Sequence, residues 1–411
     1  MQYDVIIIGA GPAGCYLALH LDKNLKVLVI DKNSDIMKKF LLSGNGKANI
    51  TNCCSFEELL KNMIFGTKNF MYHAFKTHPH TEILQLVDSV GLHYVQKENS
   101  TKMHMLSNNQ IFINRMKDLL EEHDNLGFSL STKVVSCRKG KDDLFYVDTN
   151  KDTFVGKNLV IATGGLSFSK FCGDTGDGYR FAKSFNIDVN RTFPMGISLP
   201  LEEQLKQFTS MSGTSFSQVT ARLYKDKKLI VEETHDMMIT HNGLGGPLIR
   251  RISGYVTYWE NQGVKVELDL LKESAVRNAL NKVKTMSEFW KEFEPFSKKF
   301  VMNFNERLGL EFKTDVKNLS KAKKQEIVDF FCNIPVEGII EKFDVEQAIN
   351  TGGGISTKKL NPKNFMSNEI DSLYFIGEVL DVNAKTGGFN LTVCYSSARC
   401  CADDINKKSG F

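Results

Sequence analysis

"DVIIIGAGPAGCYLALHL", residues 4–21, decides the fold of this 411-residue chain. Val5 to Ile8 form a continuous apolar run, the kind expected of a strand buried on both faces of a parallel sheet. The pattern then changes. Gly9, Gly11 and Gly14 spell GxGxxG, and Ala13, Leu17, Ala18 and Leu21 recur at helical spacing, so the glycines occupy a strand-to-helix turn. In such a turn the first glycine permits the bend, the second lets backbone approach a pyrophosphate, and the third lets helix pack on strand. Free N–H groups at the helix start face the phosphates. "KVLVIDK", residues 26–32, reads as a second buried strand, and Asp31 at its end lies 22 positions after Gly9. That is close to the spacing at which a carboxylate accepts hydrogen bonds from an adenosine ribose.

Three later segments share this grammar. "NLVIATGGLS" (158–167) is an apolar strand ending in Gly164 and Gly165, and "AINTGGGIS" (348–356) supplies three consecutive glycines. In "YFIGEVLDVNAKTGGFNLTVCYSS" (374–397) a strand ends at Gly377, a loop follows, and a helix starts near Asn390. Ligands of open α/β sheets bind outside the carboxyl ends of the strands, so these segments point to one shared crevice. The C-terminal piece is expected to present the amides of Gly387, Gly388 and Phe389 to the far end of a dinucleotide. The alternative is a plain turn or helix-capping glycine pair.

Composition narrows the class. Lys and Arg total 52 against 48 Asp and Glu, mixed along the chain, so neither a basic nucleic-acid face nor an acidic tail is evident. Nine cysteines include no CxxC and no zinc spacing, which suits a reduced, cytoplasmic protein without metal. The first strand starts at Asp4, leaving no room for a signal segment, and no apolar run reaches membrane-spanning length. No stable nucleic acid and no membrane are expected as partners, and no signal sets the oligomeric state.

Taken in order, "IIIGAGPAG", "LLSGNGKANITN" (41–52), "ATGG" followed by "GDTGDGYRFAKSFNIDV" (173–189), "THNGLGGP" (240–247) and "TGGGIS" with "YFIGEVLDVNAKTGGFNL" carry a family likeness. Over nearly its whole length the chain resembles the bacterial FAD-dependent flavoproteins grouped with aminoacetone oxidases and 3-dehydro-bile-acid reductases. The resemblance implies an α/β fold: a discontinuous, glutathione-reductase-like Rossmann FAD-binding domain with an inserted β-barrel plus a small helical domain. The expected pieces are 1–193 and 341–411 for the FAD domain, 194–270 for the barrel-like insert and 271–340 for the helical insert. The middle of the chain reads the same way by itself. "QVTARLY", "KKLIVEE" and "VKVELDL" alternate like antiparallel strands, and residues 272–332 turn helical and Lys-rich, with Ser320 as an N-cap.

The resemblance also implies the FAD contacts. Gly9, Gly11, Pro12, Ala13 and Gly14 come from the first turn, with Asp31, Lys32 and Lys39 after it. Ser43, Gly44, Gly46, Lys47 and Asn49 follow in the next loop, then Val134 and the run Ala162, Thr163 and Gly164. Gly377, Glu378, Asp381, Gly387, Gly388, Phe389 and Asn390 complete the set. Asp381 serves either as a flavin-loop acid or as a loop cap. The family usually reads GRCN near position 47, whereas this chain has Gly46, Lys47, Ala48 and Asn49. Lysine keeps the charge without arginine's planar fork, and Ala48 removes any thiol.

The implied activity is that of an FAD-dependent oxidoreductase moving a hydride between a small organic substrate and flavin N5. NAD(P)H or oxygen is the second partner; residues 158–347 hold no second GxGxxG, so NAD(P)H would dock only transiently. His241 is the candidate acid–base group, or else a structural histidine. His235 is expected to face solvent, and His78 and His80 are expected to have no carboxylates arranged around them. Competing readings are a fumarate-reductase-like flavoprotein, from "ATGG" with "GDGYRFA", and a flavin-dependent RNA-modifying or sensing protein whose Lys-rich insert holds RNA.

Overall fold

The computed structural model describes residues 2–65, 67–96, 103–201, 211–293, 296–336, 339, 343 and 348–411. The chain forms two compact units, residues 1–194 with 344–411 and residues 195–343. The expected boundary at 340/341 lies outside the described residues.

The first unit is built on a seven-stranded sheet. Its strands are β1 (Gln2–Ile8), β2 (Val27–Ile30), β3 (Leu126–Ser129), β4 (Val134–Lys139), β5 (Phe145–Thr149), β6 (Thr153–Ile161) and, after the separate strand β7 (Asn350–Ile355), β8 (Leu373–Phe375). The order is β3-β2-β1-β6-β5-β4, with β8 also on β6. β3, β2, β1, β6 and β8 are parallel, with Ile8 opposite both Ile30 and Ile161, and Ile161 opposite Phe375. Their carboxyl ends therefore meet along one edge. β6 serves two neighbours on the same side: Thr153–Gly156 pair antiparallel with β5, and Leu159–Ile161 pair parallel with β8. This division lets the C-terminal segment re-enter the sheet.

The apolar runs form these strands because both faces are covered. Val5, Ile6, Ile7, Val27, Val29, Leu159 and Val160 have no exposed surface. Burying each such side chain contributes roughly 1.5–3 kcal/mol relative to leaving it in water. Helices α1 (Pro12–His20), α2 (Lys38–Leu42), α3 (Asp177–Ser184) and α4 (Phe389–Lys408) position the site. α4 packs along α1, with the Tyr16 and Tyr395 rings edge-on at 5.2 Å. Small buried residues of α4, including Ser397, Ala398, Cys401 and Ala402, suit close approach on several sides. No described helix is long and apolar enough to cross a membrane.

His78 departs from its expectation. Its Nε2 lies 2.7 Å from Asp403 Oδ2 and its Nδ1 3.2 Å from Glu82 Oε2. Asp403 is distant in sequence and arrives on α4, which no local reading could place. Glu82 is one helical turn away and was visible as an i,i+4 partner.

In the second unit six antiparallel strands run in the spatial order 199–200, 243–245, 228–240, 215–225, 264–269 and 334–336. The last of them follows the helices in sequence. Ile334–Val336 pair with Val266–Leu268, and Leu270 N–H donates to Phe331 O, so the strands and helices expected as successive pieces share one compact unit. Trp290, Phe300, Phe304 and Phe331 form an aromatic core, with Trp290 edge-on to Phe304 at 4.7 Å. His235 is buried, contrary to expectation. It shares the inward phase of Met237 and Ile239, and its Nε2 lies 3.2 Å from Glu233 Oε2.

Candidate functional site

The turn after β1 gives each glycine a distinct environment. A β-carbon at Gly14 would stand 1.9 Å from Gly9 O, and one at Gly9, whose φ is +113°, would stand 2.4 Å from Ala162 O. Around a β-carbon at Gly11 no described residue lies within 4 Å. The first and third glycines are therefore required by packing, while the second faces open space. Pro12 is the first residue of α1, which has no side-chain cap, so the amides near Ala13 and Gly14 point out of the helix start without a capping partner.

The cleft beside this turn is lined at the strand ends by Ile8, Gly9, Ile30, Asp31 and Lys32, and by Val134, Thr163 and Gly165. Asp31 accepts hydrogen bonds from Ala10 N–H at 2.7 Å and Asn33 N–H at 2.7 Å, which fixes its carboxylate at the end of β2. Lys32 pairs with Asp177, the first residue of α3, at 3.3 Å. The Thr163 hydroxyl is buried without a hydrogen-bond partner among the described residues.

Lys39 on α2 joins its own helix to the loop after β6 and to the returning C-terminal segment. Its Nζ lies 2.6 Å from Asp174 Oδ2, 3.5 Å from Glu378 Oε2 and 3.3 Å from Ser167 Oγ. Glu378 in turn accepts from Gly165 N–H at 3.3 Å and Thr351 N–H at 3.0 Å. Burial works against the Lys39 ammonium, yet Glu378 and Asp174 outweigh it and hold its pKa at about 12. At Asp174 burial wins over Lys39, and the carboxyl rises above its ordinary value. The opposite outcomes have one cause: Lys39 has two carboxylates around it, whereas Asp174 is compensated chiefly by one ammonium.

The C-terminal segment meets the first turn directly. A β-carbon at Gly377, φ +74°, would stand 2.7 Å from the Ala13 β-carbon and 3.5 Å from Cys394 Sγ, and Gly377 N–H donates to Ser397 Oγ at 3.1 Å. Gly377 is thus wedged between the start of α1 and the first turns of α4. The start of α4 has Gly388 as an uncapped N-cap at φ +94°, where a β-carbon would stand 2.3 Å from Thr51 O. Gly387 O accepts from Asn52 Nδ2, Asn390 Nδ2 donates to Ala384 O, and Phe389 is buried.

The structure brings Gly9, Asp31, Lys32, Val134 and Thr163 to one cleft, and gathers Lys39, Gly164 and Glu378 at its margin. Ala162 is buried beside Gly9. Other candidates stand apart. Asp381 is engaged by Asn383 Nδ2 at 2.6 Å and Asn190 Nδ2 at 2.7 Å, the geometry of a loop tie. Lys47 is exposed, and Ser43, Gly44, Gly46 and Asn49 belong to a loop in which Gly44, Asn45 and Gly46 all have positive φ. In the second unit His241 is exposed, with Nδ1 3.1 Å from Ser212 Oγ.

The sequence reading missed Asn109. This fully buried amide accepts from Ala48 N–H at 2.6 Å and donates to Phe40 O at 2.9 Å and Ser43 O at 2.8 Å, clamping the 40–48 loop. An Asn next to the Asn108 N-cap at a helix start reads as local capping and gives no signal of a bond to a loop some sixty residues away. Asp174 and Thr351 were missed as well, although both stand inside the quoted glycine-rich segments.

A glycine cradle at β1–α1, an acid at the end of β2 and a cleft along the carboxyl edge define a Rossmann dinucleotide-binding protein. The open face of Gly11, the uncapped amides of α1 and the unpartnered Thr163 hydroxyl fit a bound pyrophosphate nucleotide. The chain belongs to the HI0933-like family, whose Rossmann domain matches residues 3–404, and with it to the FAD-binding flavoprotein oxidoreductases. It is 31% identical over 418 residues to the ribosomal RNA dihydrouridine synthase of Haemophilus influenzae, with 98% of each chain covered. It is 24% identical over 400 residues to the 3-dehydro-bile acid delta(4,6)-reductase of Clostridium scindens, with 94% of each covered. The solved quinol fumarate reductase FrdA of Escherichia coli, a point variant, is similar at a TM-score of 0.52 and 16% identity, over 100% of this chain and 70% of that one. The last likeness is one of fold alone.

Proposed function

We propose that this protein is an FAD-dependent reductase of a carbon–carbon double bond conjugated to a carbonyl, and that its substrate is a uridine of ribosomal RNA. The observation that carries the reading is the 31% identity, spread over 98% of both chains, to the H. influenzae ribosomal RNA dihydrouridine synthase. The bile acid reductase supports the same reaction class. Uridine and a 3-keto-delta(4,6) steroid both present an alkene in conjugation with C=O. Reduction adds a hydride at the carbon remote from the carbonyl and a proton at the adjacent one, replacing one π bond with two C–H bonds. Electrons come from NAD(P)H, docking transiently because the chain carries no second nucleotide fingerprint.

FAD, when bound in the cleft, would supply the two-electron redox chemistry. Gly11 and the first amides of α1 would hold its pyrophosphate, and Asp31 would accept from its ribose hydroxyls. The Lys39–Asp174–Glu378 cluster fixes the glycine loop at Gly164 and Gly165. The start of α4 carries about half a positive charge and favours negative charge at the far end of the dinucleotide by roughly 0.3–2 kcal/mol. His241 is the acid–base group assigned in this reading.

Flavin-loaded protein, NADH or NADPH and ribosomal RNA from a strain lacking the gene should together yield dihydrouridine, read by mass spectrometry of nucleosides. Unchanged uridine in that RNA, together with normal dihydrouridine in the deletion strain, would end the proposal. The bile acid relative favours one second reading, a reductase of small conjugated ketones. Nucleotide oxidation driven by such a ketone, with RNA inert, would select it.

A further inference from the structure

The charge of this chain is unevenly placed. Residues 297–324 hold eight Lys and Arg against three Asp and Glu, a surplus of five, while the whole chain has a surplus of four. Everything outside those 28 residues therefore carries one net negative charge. The basic stretch forms two helices, Lys298–Leu308 and Lys321–Phe331, joined by a turn with a short 3₁₀ segment at Val316–Asn318.

Folding concentrates the surplus further. Lys323 Nζ donates to Leu308 O at 3.1 Å, holding the start of the second helix against the end of the first. Val316 N–H donates to Lys284 O at 2.9 Å, and Ser287 N–H to Phe312 O at 2.9 Å, so residues 284–287 lie beside the turn. Lys284, Lys313, Lys317, Lys321 and Lys324 thus come from neighbouring backbone, and none forms an ion pair among the described residues. The nearby acids have local partners: Glu326 pairs with Lys323, Glu288 accepts from Lys284 N–H, and Asp315 accepts from Lys317 N–H and Asn318 Nδ2. Glu306 and Glu311 are exposed and offset part of the surplus. Phe312, 48% exposed, directly precedes Lys313 and accepts the Ser287 N–H bond through its carbonyl.

A lysine-rich helical face is usually just solvated. Here lysines without an ion pair among the described residues share neighbouring backbone with an exposed aromatic side chain, and basic groups beside an aromatic ring are the combination that holds single-stranded nucleic acid through its phosphates and stacks an unpaired base. We propose that this surface, Lys284, Phe312, Lys313, Lys317, Lys321 and Lys324, is an RNA-docking site that grips a single-stranded or looped segment of the substrate. The inference rests on the reading of RNA as substrate given above and adds the surface that holds it.

The test uses full-length, flavin-loaded protein and two probes, poly(U) and ribosomal RNA from a strain lacking the gene. Lys313→Ala/Lys317→Ala/Lys321→Ala should weaken binding at least about tenfold at moderate salt and flatten the log–log salt slope by about two, at roughly 0.7 per lost phosphate contact on a single strand. Phe312→Ala should weaken binding about fivefold or more with the slope retained. Flavin content, flavin bleaching by NAD(P)H and melting temperature should match the wild type in both variants. A control triple at exposed lysines elsewhere, Lys141→Ala/Lys363→Ala/Lys407→Ala, should retain affinity. Undiminished binding by the first triple, or equal loss in the control, overturns the assigned surface while leaving the RNA reductase reading intact. Wild-type protein that neither binds RNA nor forms dihydrouridine overturns both.

Discussion

Lys39 Nζ stands 2.6 Å from Asp174 Oδ2, joining helix α2 to the glycine-rich loop that follows β6. The same ammonium reaches Glu378, so a short helix, a central-strand loop and the returning C-terminal segment share one charge. Lys39→Met leaves two largely buried carboxylates without their cation and should cost roughly 2–4 kcal/mol in urea unfolding. Adding Asp174→Asn should restore part of that loss. If the single variant unfolds like wild type, the cluster does not hold the loop.

The three fingerprint glycines should separate by experiment. Gly14→Ala places a β-carbon 1.9 Å from Gly9 O and should prevent stable folding. Gly11→Ala meets nothing within 4 Å and should leave the apoprotein within about 1 kcal/mol of wild type while weakening FAD binding at least tenfold. Fluorescence titration of the refolded apoprotein with FAD, beside its thermal melt, measures both effects.

Asn109→Ala strips the partner from Ala48 N–H and from two loop carbonyls in a site with no solvent access. An expected loss of about 2–4 kcal/mol follows from several buried groups left unsatisfied. Limited proteolysis should then cut within 40–48 sooner than in wild type.

His20 sets a pH dependence. Burial, aided by the charge of Arg399, lowers its pKa from 6.5 to about 4. Between those values the unfolded chain binds the proton and the fold does not, so stability rises with pH across the window. The contribution is complete above about 6.5 and is lost as pH falls toward 4, up to roughly 3 kcal/mol. His20→Asn should remove that part of the slope in melts between pH 7 and pH 4. A slope identical to wild type would show that His20 is not held neutral.

His241→Gln should slow dihydrouridine formation by about 10²-fold, the usual scale for a lost general acid, with FAD affinity unchanged. Equal turnover by the variant would leave His241 as a structural residue of its exposed turn.

The sequence alone determined the Rossmann core, because a strand buried on both faces must be apolar throughout and a phosphate turn needs glycine at fixed spacing. It also marked Asp31, Thr163 and Gly377, each closing a strand at a motif whose local geometry is short-range. Only the tertiary structure decided what surrounds them. Asn109 clamps a loop some sixty residues earlier, Asp403 reaches His78 across most of the chain, and Gly377 lodges against Ala13 because β8 pairs with the last residues of β6. The same holds for Lys284, brought beside Lys317 by a backbone hydrogen bond. Hydrophobic period and turn chemistry act between neighbours in sequence, whereas ion pairs, buried amides and charge density depend on which distant segments the fold sets side by side.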